Sequence, residues 1–335
     1  MNPKRWTALI IAVVLFIGSI GINAVFSFFK TDFFANIEDF VNEQSELTNT
    51  QVLEQGKTND KIAYIKLDGT IQDVEMSAFS TGYNHKNFLS QLKQIKEDDS
   101  IKGVVFAVNT PGGGVIESAE IRKKIMEIQA TRDIPVYVSM GAMAASGGYY
   151  VSAPADKIFA MQETITGSIG VIMQTINYQE LAEKLGVRYE KFQSGIHKDM
   201  LSPTREVTEE ERKMMQEMID ESYGTFVNII AEGRNMSEAD VKKVADGRIM
   251  SGTQAMKAGL VDEIADEETV IQQMREDYDL TDAQLITFAD PTTNWRTILG
   301  VKASTLFGPS LEERFVAEML TKYNAPQMMY LYGAN

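Results

Sequence analysis

The strongest constraint on the fold is an alternation of strand-like and helix-like segments through the middle of this 335-residue chain. Residues 61–67 alternate polar and apolar side chains like a strand, and residues 103–108 are a continuous apolar run, typical of a strand buried on both faces. The same series continues with helices at 87–97 and 115–130 and strands at 136–139 and 157–161. Strands that alternate with helices predict an α/β fold with a largely parallel sheet flanked by helices.

Two of the helices carry apolar stripes that predict their buried faces. The helix at 115–130 places four isoleucines near helical spacing, namely Ile116, Ile121, Ile125 and Ile128. Thr208 and Glu211 have the spacing of a capping box, which predicts a long helix that ends near Glu232. The stripe of this long helix is predicted to pack in the core, and it comprises Met215, Met218, Ile219, Phe226 and Ile230.

The N-terminus carries an uncharged apolar run from Thr7 to Phe29, long enough at about 1.5 Å per helical residue to cross a bilayer core of about 30 Å. Lys4 and Arg5 precede the run and acidic residues follow it, so we expect the N-terminus in the cytoplasm and the rest of the chain outside. A cleaved signal peptide is the alternative, but the apolar run continues past the small residues near position 20.

These signals divide the chain into five parts. Residues 30–60 are polar and acidic and indicate a juxtamembrane linker, partly helical at most. The apolar, β-prone end near Tyr330 must be covered by the fold or by a partner. The predicted parts are a cytoplasmic N-terminus (1–6), a transmembrane anchor (7–29), the linker (30–60), a folded domain (61–290) and a C-terminal tail (291–335).

Composition excludes several classes of function. The net charge of −15 argues against binding to nucleic acid through basic patches. The chain has no cysteine and only His85 and His197, so neither a thiolate nucleophile nor a histidine-rich metal site can be built. His85 has no partner pattern and is expected at the surface. The sequence patterns of zinc proteases and phosphate-binding loops are absent, and we expect no cofactor or metal.

A short apolar strand at 136–139 leads into small residues, then Ser146, Gly147 and Gly148. This pattern is typical of a tight strand-to-helix turn that presents a hydroxyl beside exposed backbone N–H groups. Acyl transfer requires such parts, a nucleophile and donors for an oxyanion. Close helix packing through small residues is an equally acceptable interpretation of this turn alone. A second glycine-rich turn at 109–114, again after a strand, favours the catalytic interpretation.

A serine hydroxyl needs a base to become a nucleophile. His197 and Lys198 are both candidates, and both lie in a segment with loop character at 193–199. A lysine accepts a proton only when its amine is neutral, which requires burial or neighbouring positive charge. Residue type alone therefore favours His197 as the base and a surface position for Lys198.

Five motifs in order resemble the signal peptide peptidase A family of membrane-anchored serine proteases, in its single-copy bacterial form. The resemblance covers roughly Lys61 to Asp266 together with the N-terminal anchor, and its catalytic positions show no departure. The motifs are Asn109-Thr110-Pro111-Gly112-Gly113-Gly114, Met143-Ala144-Ala145-Ser146-Gly147-Gly148-Tyr149-Tyr150, Thr166-Gly167-Ser168-Ile169-Gly170-Val171, Lys198, and the run from Asp246 to Asp262.

The resemblance implies a ClpP/crotonase-like fold of stacked ββα units and a Ser/Lys dyad. Ser146 is then the nucleophile and Lys198 the general base, one of the known variants of triad chemistry. The N–H groups of Gly113 and Gly147 are expected to form the oxyanion hole, and Gly147 suits this role because it begins a helix. Ser168 is expected to orient the lysine amine by a hydrogen bond.

The resemblance also implies a function, a location and partners. We expect an endopeptidase that degrades remnant signal peptides and other unfolded apolar peptides, held at the bilayer by its anchor, and assembled into a ring-shaped homo-oligomer. A crotonase-type acyl-CoA enzyme is one alternative, although it has no use for an anchor. A non-catalytic membrane scaffold is the other, although it does not explain Ser146, Lys198 and Ser168 together.

Overall fold

The computed structural model describes residues 50–74, 82–288 and 328–333. The predicted cytoplasmic segment 1–6, the predicted anchor 7–29, most of the linker and most of the tail lie outside these ranges. Among the residues in these three ranges, no helix is long and apolar enough to cross a membrane.

Nine of the described strands form one sheet. Its hydrogen-bonded order is β1-β10-β2-β3-β5-β6-β9, while β7 pairs with β5 and β8, and β4 pairs separately with β11. The strands are β1 (Thr50–Glu54), β2 (Lys57–Asp68), β3 (Ile101–Thr110), β4 (Gly112–Gly114), β5 (Val136–Ala145), β6 (Lys157–Ala160), β7 (Ile165–Gly167), β8 (Ile249–Ser251), β9 (Glu263–Ile264), β10 (Ala283–Phe288) and β11 (Met329–Leu331).

The centre of the sheet is parallel, as the alternation of segments predicts. Strand β3 pairs in parallel with β2 on one side and β5 on the other, and β5 pairs in parallel with β6 and β7. Only the pairs β1–β10 and β7–β8 within this sheet are antiparallel. Because the carboxyl ends of parallel strands meet at one edge, the residues that follow β3 and β5 lie on the same side of the molecule.

Eight helices connect and cover the described strands. The two longest, α2 and α5, are those predicted from isoleucine spacing and from the capping box. The helices are α1 (His85–Glu97), α2 (Val115–Arg132), α3 (Gly147–Ser152), α4 (Gln179–Lys184), α5 (Glu209–Gly233), α6 (Glu238–Val244), α7 (Gly252–Lys257) and α8 (Glu267–Asp277).

Alternate residues of the central strands supply two separate hydrophobic cores. On β2, Ala63, Ile65 and Leu67 join the larger core, which also contains the buried faces of α1, α2, α3 and the second half of α5. Ile62 and Tyr64 point to the opposite face, where they pack with side chains of α8. Since successive strand residues face opposite sides, this period of two follows directly from the sequence.

The structure corrects the predicted boundaries of the domain. Strand β1 begins at Thr50 and β2 at Lys57, so the last part of the predicted 30–60 linker is sheet, because its residues pair with β10. Strand β5 continues to Ala145, six residues beyond the predicted end. Strand β11 shows that part of the predicted 291–335 tail is built into the fold through pairing with β4.

The predicted core stripe of α5 is only half buried. Phe226 and Ile230 are fully buried, but Met215 and Ile219 are partly exposed and Met218 is 42% exposed. The first turns of α5 line an open groove instead. On α2, Ile116 was also expected in the stripe, yet it is exposed, because it lies off the buried face formed by Ser118, Ile121, Ile125 and Ile128.

His85 is buried rather than at the surface. Its Nδ1 lies 2.6 Å from the hydroxyl oxygen of Tyr83, and its Nε2 lies 2.8 Å from Oε2 of Glu120. Tyr83 lies two positions upstream of His85, and Glu120 lies in α2. Sequence reasoning missed them because the second contact joins helices that are distant in the chain.

Candidate functional site

Ser146 stands between β5 and α3 in a backbone conformation that side chains rarely adopt. Its φ is 54° and its ψ is −112°, and its side chain is almost fully buried. The Ser146 N–H donates to the carbonyl of Gly167 at 2.8 Å, and its carbonyl accepts from the N–H of Tyr150 at 2.9 Å. These two hydrogen bonds hold the residue in a sparsely populated region, which is a feature of functional turns.

The small residues around Ser146 are required by close packing. A Cβ on Gly147 would lie 2.8 Å from Oγ of Ser118, and one on Gly148 would lie 2.7 Å from Cγ2 of Thr110. Both distances are shorter than ordinary carbon contacts. The turn is therefore tight against α2 and the end of β3. This tight packing is consistent with both interpretations of the turn, the structural one and the catalytic one. Close helix packing and an exposed backbone N–H group require the same glycines.

The second glycine-rich turn lies directly beside the first. A Cβ on Gly147 would be 3.1 Å from the nitrogen of Gly113, so the backbones of these two glycines are in near contact. Gly113 belongs to β4, which is fixed on one side by reciprocal hydrogen bonds with Ile71. Gly147 is the first residue of α3, where an N–H has no acceptor within the helix.

The carbonyl of Tyr330 points into the space between the two glycine turns. Strand β11 pairs antiparallel with β4, with Tyr330 opposite Gly113. The Tyr330 oxygen would lie 2.0 Å from a Cβ on Gly112 and 3.1 Å from a Cβ on Gly147. Met329 also exchanges two hydrogen bonds with Ile172, so an extended chain lies between β4 and Ile172. The described structure thus has a peptide carbonyl next to the turn that carries Ser146.

The Tyr330 side chain fills an aromatic pocket behind this carbonyl. Its ring stacks on Tyr150 at 4.8 Å and lies 4.7 Å from the ring of Phe226, and it is 1% exposed. Tyr150 lies in α3, four residues from Ser146, so the pocket is attached to the same turn. Burial raises the pKa of Tyr330 above the ordinary value of tyrosine.

Ser168 lies next to the Ser146 turn through the backbone. The carbonyl that accepts the Ser146 N–H belongs to Gly167, the residue immediately before Ser168. Ser168 is largely buried, has a φ of 49°, and donates its own N–H to the carbonyl of Arg248 at 2.7 Å. The structure therefore brings four of the five predicted site residues together, namely Ser146, Gly147, Gly113 and Ser168.

Lys198 is the predicted site residue that the structure does not join to Ser146. It is exposed, and across the described residues its amine makes no hydrogen bond or ion pair. His197 is partly exposed, and its Nε2 lies 4.0 Å from Oε1 of Glu210. Neither candidate base forms a hydrogen bond with Ser146 in the part of the chain that the structure describes.

A charged network holds Asp199, the residue that follows Lys198 in the chain. Arg205 donates to both carboxylate oxygens of Asp199, at 2.8 and 2.9 Å, and to both oxygens of Glu211, at 2.9 and 2.5 Å. Lys191 also donates to Asp199. The Arg205 guanidinium lowers the pKa of Asp199 well below its usual range and lowers the pKa of Glu211 to about 2. Both carboxylates are therefore charged at neutral pH.

Comparison with known proteins assigns the chain to a family. "Putative signal peptide peptidase SppA" of Enterococcus faecium is 42% identical to this chain, and the match covers 99% of this chain and 99% of that relative. The profile of peptidase family S49 matches residues 128–281. The chain belongs to peptidase family S49.

More distant relatives agree with this assignment. "Protease 4" of Haemophilus influenzae is 32% identical over 90% of this chain and 51% of its own length. "Serine protease SPPA, chloroplastic" of Arabidopsis thaliana is 27% identical over 74% of this chain and 37% of its own length. The protein is therefore a serine peptidase, as the motifs predict, and its mixed α/β fold with a largely parallel sheet fits the S49 family.

Sequence reasoning missed two parts of this peptidase's site. Ser118 is a buried polar residue that packs against Gly147, and nothing in its local sequence marks it. Thr110 lies in the first of the five motifs, but its contact with Gly148 was not predicted. Arg205 was also missed, although the capping box already identified its partner Glu211. Within the described ranges, no three metal-binding side chains lie close enough to hold a metal ion.

Proposed function

We propose that this serine peptidase hydrolyses released signal peptides and other unfolded apolar peptides with a Ser/Lys dyad. Ser146 is the nucleophile, Lys198 the general base, and the N–H groups of Gly113 and Gly147 form the oxyanion hole, with Ser168 orienting the lysine amine. The substrate class is taken from the printed name of the Enterococcus faecium relative.

The Tyr330 carbonyl is the observation that carries this proposal. An extended segment pairs with β4, and one of its carbonyl oxygens lies against Gly112 and Gly147, beside Ser146. A substrate that adds to β4 in the same manner would place its scissile carbonyl at the two glycine N–H groups. Main-chain pairing of this kind recognises any extended peptide, while a pocket selects the side chain.

The chemistry follows from these positions. The neutral Lys198 amine removes the proton of the Ser146 hydroxyl as its oxygen attacks the carbonyl carbon. The negative charge of the tetrahedral intermediate is stabilised by the two backbone N–H groups. The protonated lysine then donates its proton to the leaving amine, and water releases the acyl group by the reverse sequence.

The base is proposed to come from a neighbouring copy of the chain. Ser146 is buried and Lys198 is exposed, and the described residues show no hydrogen bond between them. The segment that carries Lys198 also exposes large apolar side chains, which a homo-oligomer would cover. These side chains are Ile176, Leu181, Leu185, Phe192 and Ile196.

The finer features of architecture and location are proposed with the function. Residues 7–29 anchor the chain in the membrane, with residues 1–6 in the cytoplasm and the catalytic domain outside, where apolar signal peptides are released into the bilayer. The fold is proposed to be of the ClpP/crotonase type, which is supported by glycine turns that follow adjacent parallel strands.

The test compares three variants of the full-length protein in detergent: Ser146→Ala, Lys198→Ala and His197→Ala. Peptide hydrolysis and labelling by a fluorophosphonate, which reacts with activated serines, are measured for each. Ser146→Ala and Lys198→Ala should lose hydrolysis by about 10³-fold or more, as other serine peptidases do. His197→Ala, the neighbouring control, should keep most of its activity.

Two outcomes contradict the assignment. Near-normal hydrolysis by folded Ser146→Ala excludes this residue as the nucleophile. An inactive His197→Ala beside an active Lys198→Ala makes the histidine the base.

A further inference from the structure

We propose that Arg205 is a positioning residue for the general base: its guanidinium fixes the backbone of Lys198 to the start of α5. The inference rests on the proposed role of Lys198. It assigns a task to a side chain outside the Ser/Lys dyad, the oxyanion hole and the pocket of Tyr330.

The first step is the contact between Arg205 and the residue after the base. Nε and Nη2 of Arg205 donate to the two carboxylate oxygens of Asp199, at 2.8 and 2.9 Å. Nη2 also donates to the main-chain carbonyl of Asp199 at 3.0 Å. The side chain and the backbone of this residue are thus held by the same guanidinium, which limits how the chain can turn at Lys198.

The second step is the contact on the helix side. Nη1 and Nη2 of Arg205 donate to the carboxylate of Glu211, whose side chain is 2% exposed. The same carboxylate accepts the N–H of Thr208 at 3.0 Å and so completes the capping box of α5. The helix fixes the position of Glu211, and Arg205 donates to both Glu211 and Asp199. Arg205 therefore holds Asp199 at a defined position relative to α5.

The third step is that the other connections of this segment are short turns and the ion pair of the exposed Lys191 with Asp199. Lys198 donates its N–H to the carbonyl of Gly195, and Ser202 donates to that of Asp199, so the segment is a series of short turns. Most side chains from 188 to 198 are exposed. A base carried on turns of this kind has no packed core to hold it, and a displacement of about 1 Å can cost about 100-fold in rate.

The chemistry of the site requires arginine. One planar guanidinium can make paired hydrogen bonds to two carboxylates at once, whereas the compact ammonium of a lysine lacks this fork geometry. Without it, Asp199 and Glu211 would face each other as like charges and separate. The substitution Arg205→Lys therefore keeps the net charge and removes only the paired hydrogen bonds to the two carboxylates.

The experiment uses the full-length protein with Arg205→Lys, Lys198→Ala and a matched control, Arg132→Lys. Arg132 is a largely buried guanidinium that donates to the carbonyls of Ile95, Lys96 and Asp98, near the opposite end of β3 from the glycine turns. Arg132→Lys should lower the melting temperature and leave kcat and KM unchanged. Arg205→Lys should lower kcat about 10- to 100-fold with little change in KM.

The split between kcat and KM separates positioning from stability. In Arg205→Lys, the loss should fall on kcat and leave KM nearly unchanged, because the substrate site on β4 is intact and only the placement of the amine differs. The net charge of the two proteins is the same, so this loss reports the geometry of the contact. Should Arg205→Lys fail to fold, Glu211→Gln provides the second variant. It retains the capping box and should show a smaller loss of kcat, again with little change in KM.

Two results overturn the inference in distinguishable ways. Folded Arg205→Lys with wild-type kcat, beside an inactive Lys198→Ala, removes the role of Arg205 and leaves the proposed dyad intact. An active Lys198→Ala removes the base itself, and the proposed function fails with it.

Discussion

Ser146 and the two glycine turns show how single residues define this site. A serine at φ 54° and ψ −112° is strained by about 1–3 kcal/mol, and the surrounding fold must hold it there. The hydrogen bonds to Gly167 and Tyr150 provide that restraint. Gly147 next to it has no room for a side chain, since a Cβ would approach Ser118 and the nitrogen of Gly113.

Gly147→Ala should reduce kcat about 10²- to 10³-fold, because the added methyl group fills the space between the two proposed oxyanion donors. Hydrolysis of a peptide substrate and the melting temperature are measured together. Gly224→Ala is the control: its Cβ would meet nothing within 4 Å and it lies in α5, so it should stabilise the fold without changing activity.

The double variant Gly147→Ala/Ser118→Ala separates the two contacts of the new methyl group. It removes the Ser118 hydroxyl, the closest clash, and should recover stability while remaining inactive. Recovery of activity as well would mean that the clash with Ser118, and not the obstruction of the N–H pair, causes the loss.

At this scale the sequence predicts the position of the Ser146 turn but not its geometry. The turn after β5 and the second glycine-rich turn at 109–114 were both predicted from the sequence, and the structure places them side by side. The strained φ of Ser146 and the burial of Ser118 against Gly147 could not be predicted, because both depend on how β4, α2 and α3 pack.

Among the elements, the start of α5 was predicted from the sequence, but its contact with Arg205 was not. The capping box of Thr208 and Glu211 is present, as the sequence indicates. The same Glu211 also pairs with Arg205, and this pair lowers its pKa from 4.5 to about 2. Ionised Glu211 therefore stabilises the folded state above pH 4.5, and this contribution is lost as the pH falls towards 2.

Glu211→Gln should be less stable than the wild type at neutral pH, and the difference in melting temperature should shrink as the pH falls from about 4.5 to about 2. Glutamine can still form the capping box, so the difference reports the ion pair with Arg205. The control Glu217→Gln lies on the same helix, is exposed, and is 3.9 Å from Lys213. It should change the melting temperature little at any pH. A difference for Glu211→Gln that does not depend on pH would assign the loss to packing.

Elements with strong periodicity were predicted, and those that depend on distant pairing were not. The isoleucine spacing of α2 and the apolar run of β3 identify these elements because each buries a face that the sequence itself reveals. Strands β1 and β11 are short, and each is stabilised by pairing with a strand far away in the chain. The stripe of α5 predicted an apolar face correctly, but not that its first turns extend beyond the core.

At the scale of the whole molecule, the proposed dyad is divided between a buried serine and an exposed lysine. "Protease 4" of Haemophilus influenzae is about twice as long as the region that it shares with this chain. We propose that, in a homo-oligomer of this shorter chain, each Lys198 serves the Ser146 of a neighbour. The exposed apolar side chains near Lys198 provide a surface for such contacts.

Mixing Ser146→Ala with Lys198→Ala should therefore restore activity that neither variant has alone. In a closed ring formed from equal amounts, a site is complete only when a Lys198→Ala subunit supplies the serine and its correct neighbour supplies the lysine, so about a quarter of wild-type activity is expected. The variants are co-expressed with different affinity tags, hybrid oligomers are isolated through both tags, and peptide hydrolysis is measured. The control mixes Ser146→Ala with the double variant Ser146→Ala/Lys198→Ala, which forms hybrids without any complete site and should stay inactive. Hybrid oligomers of the two single variants that show no hydrolysis would place both catalytic residues within one chain.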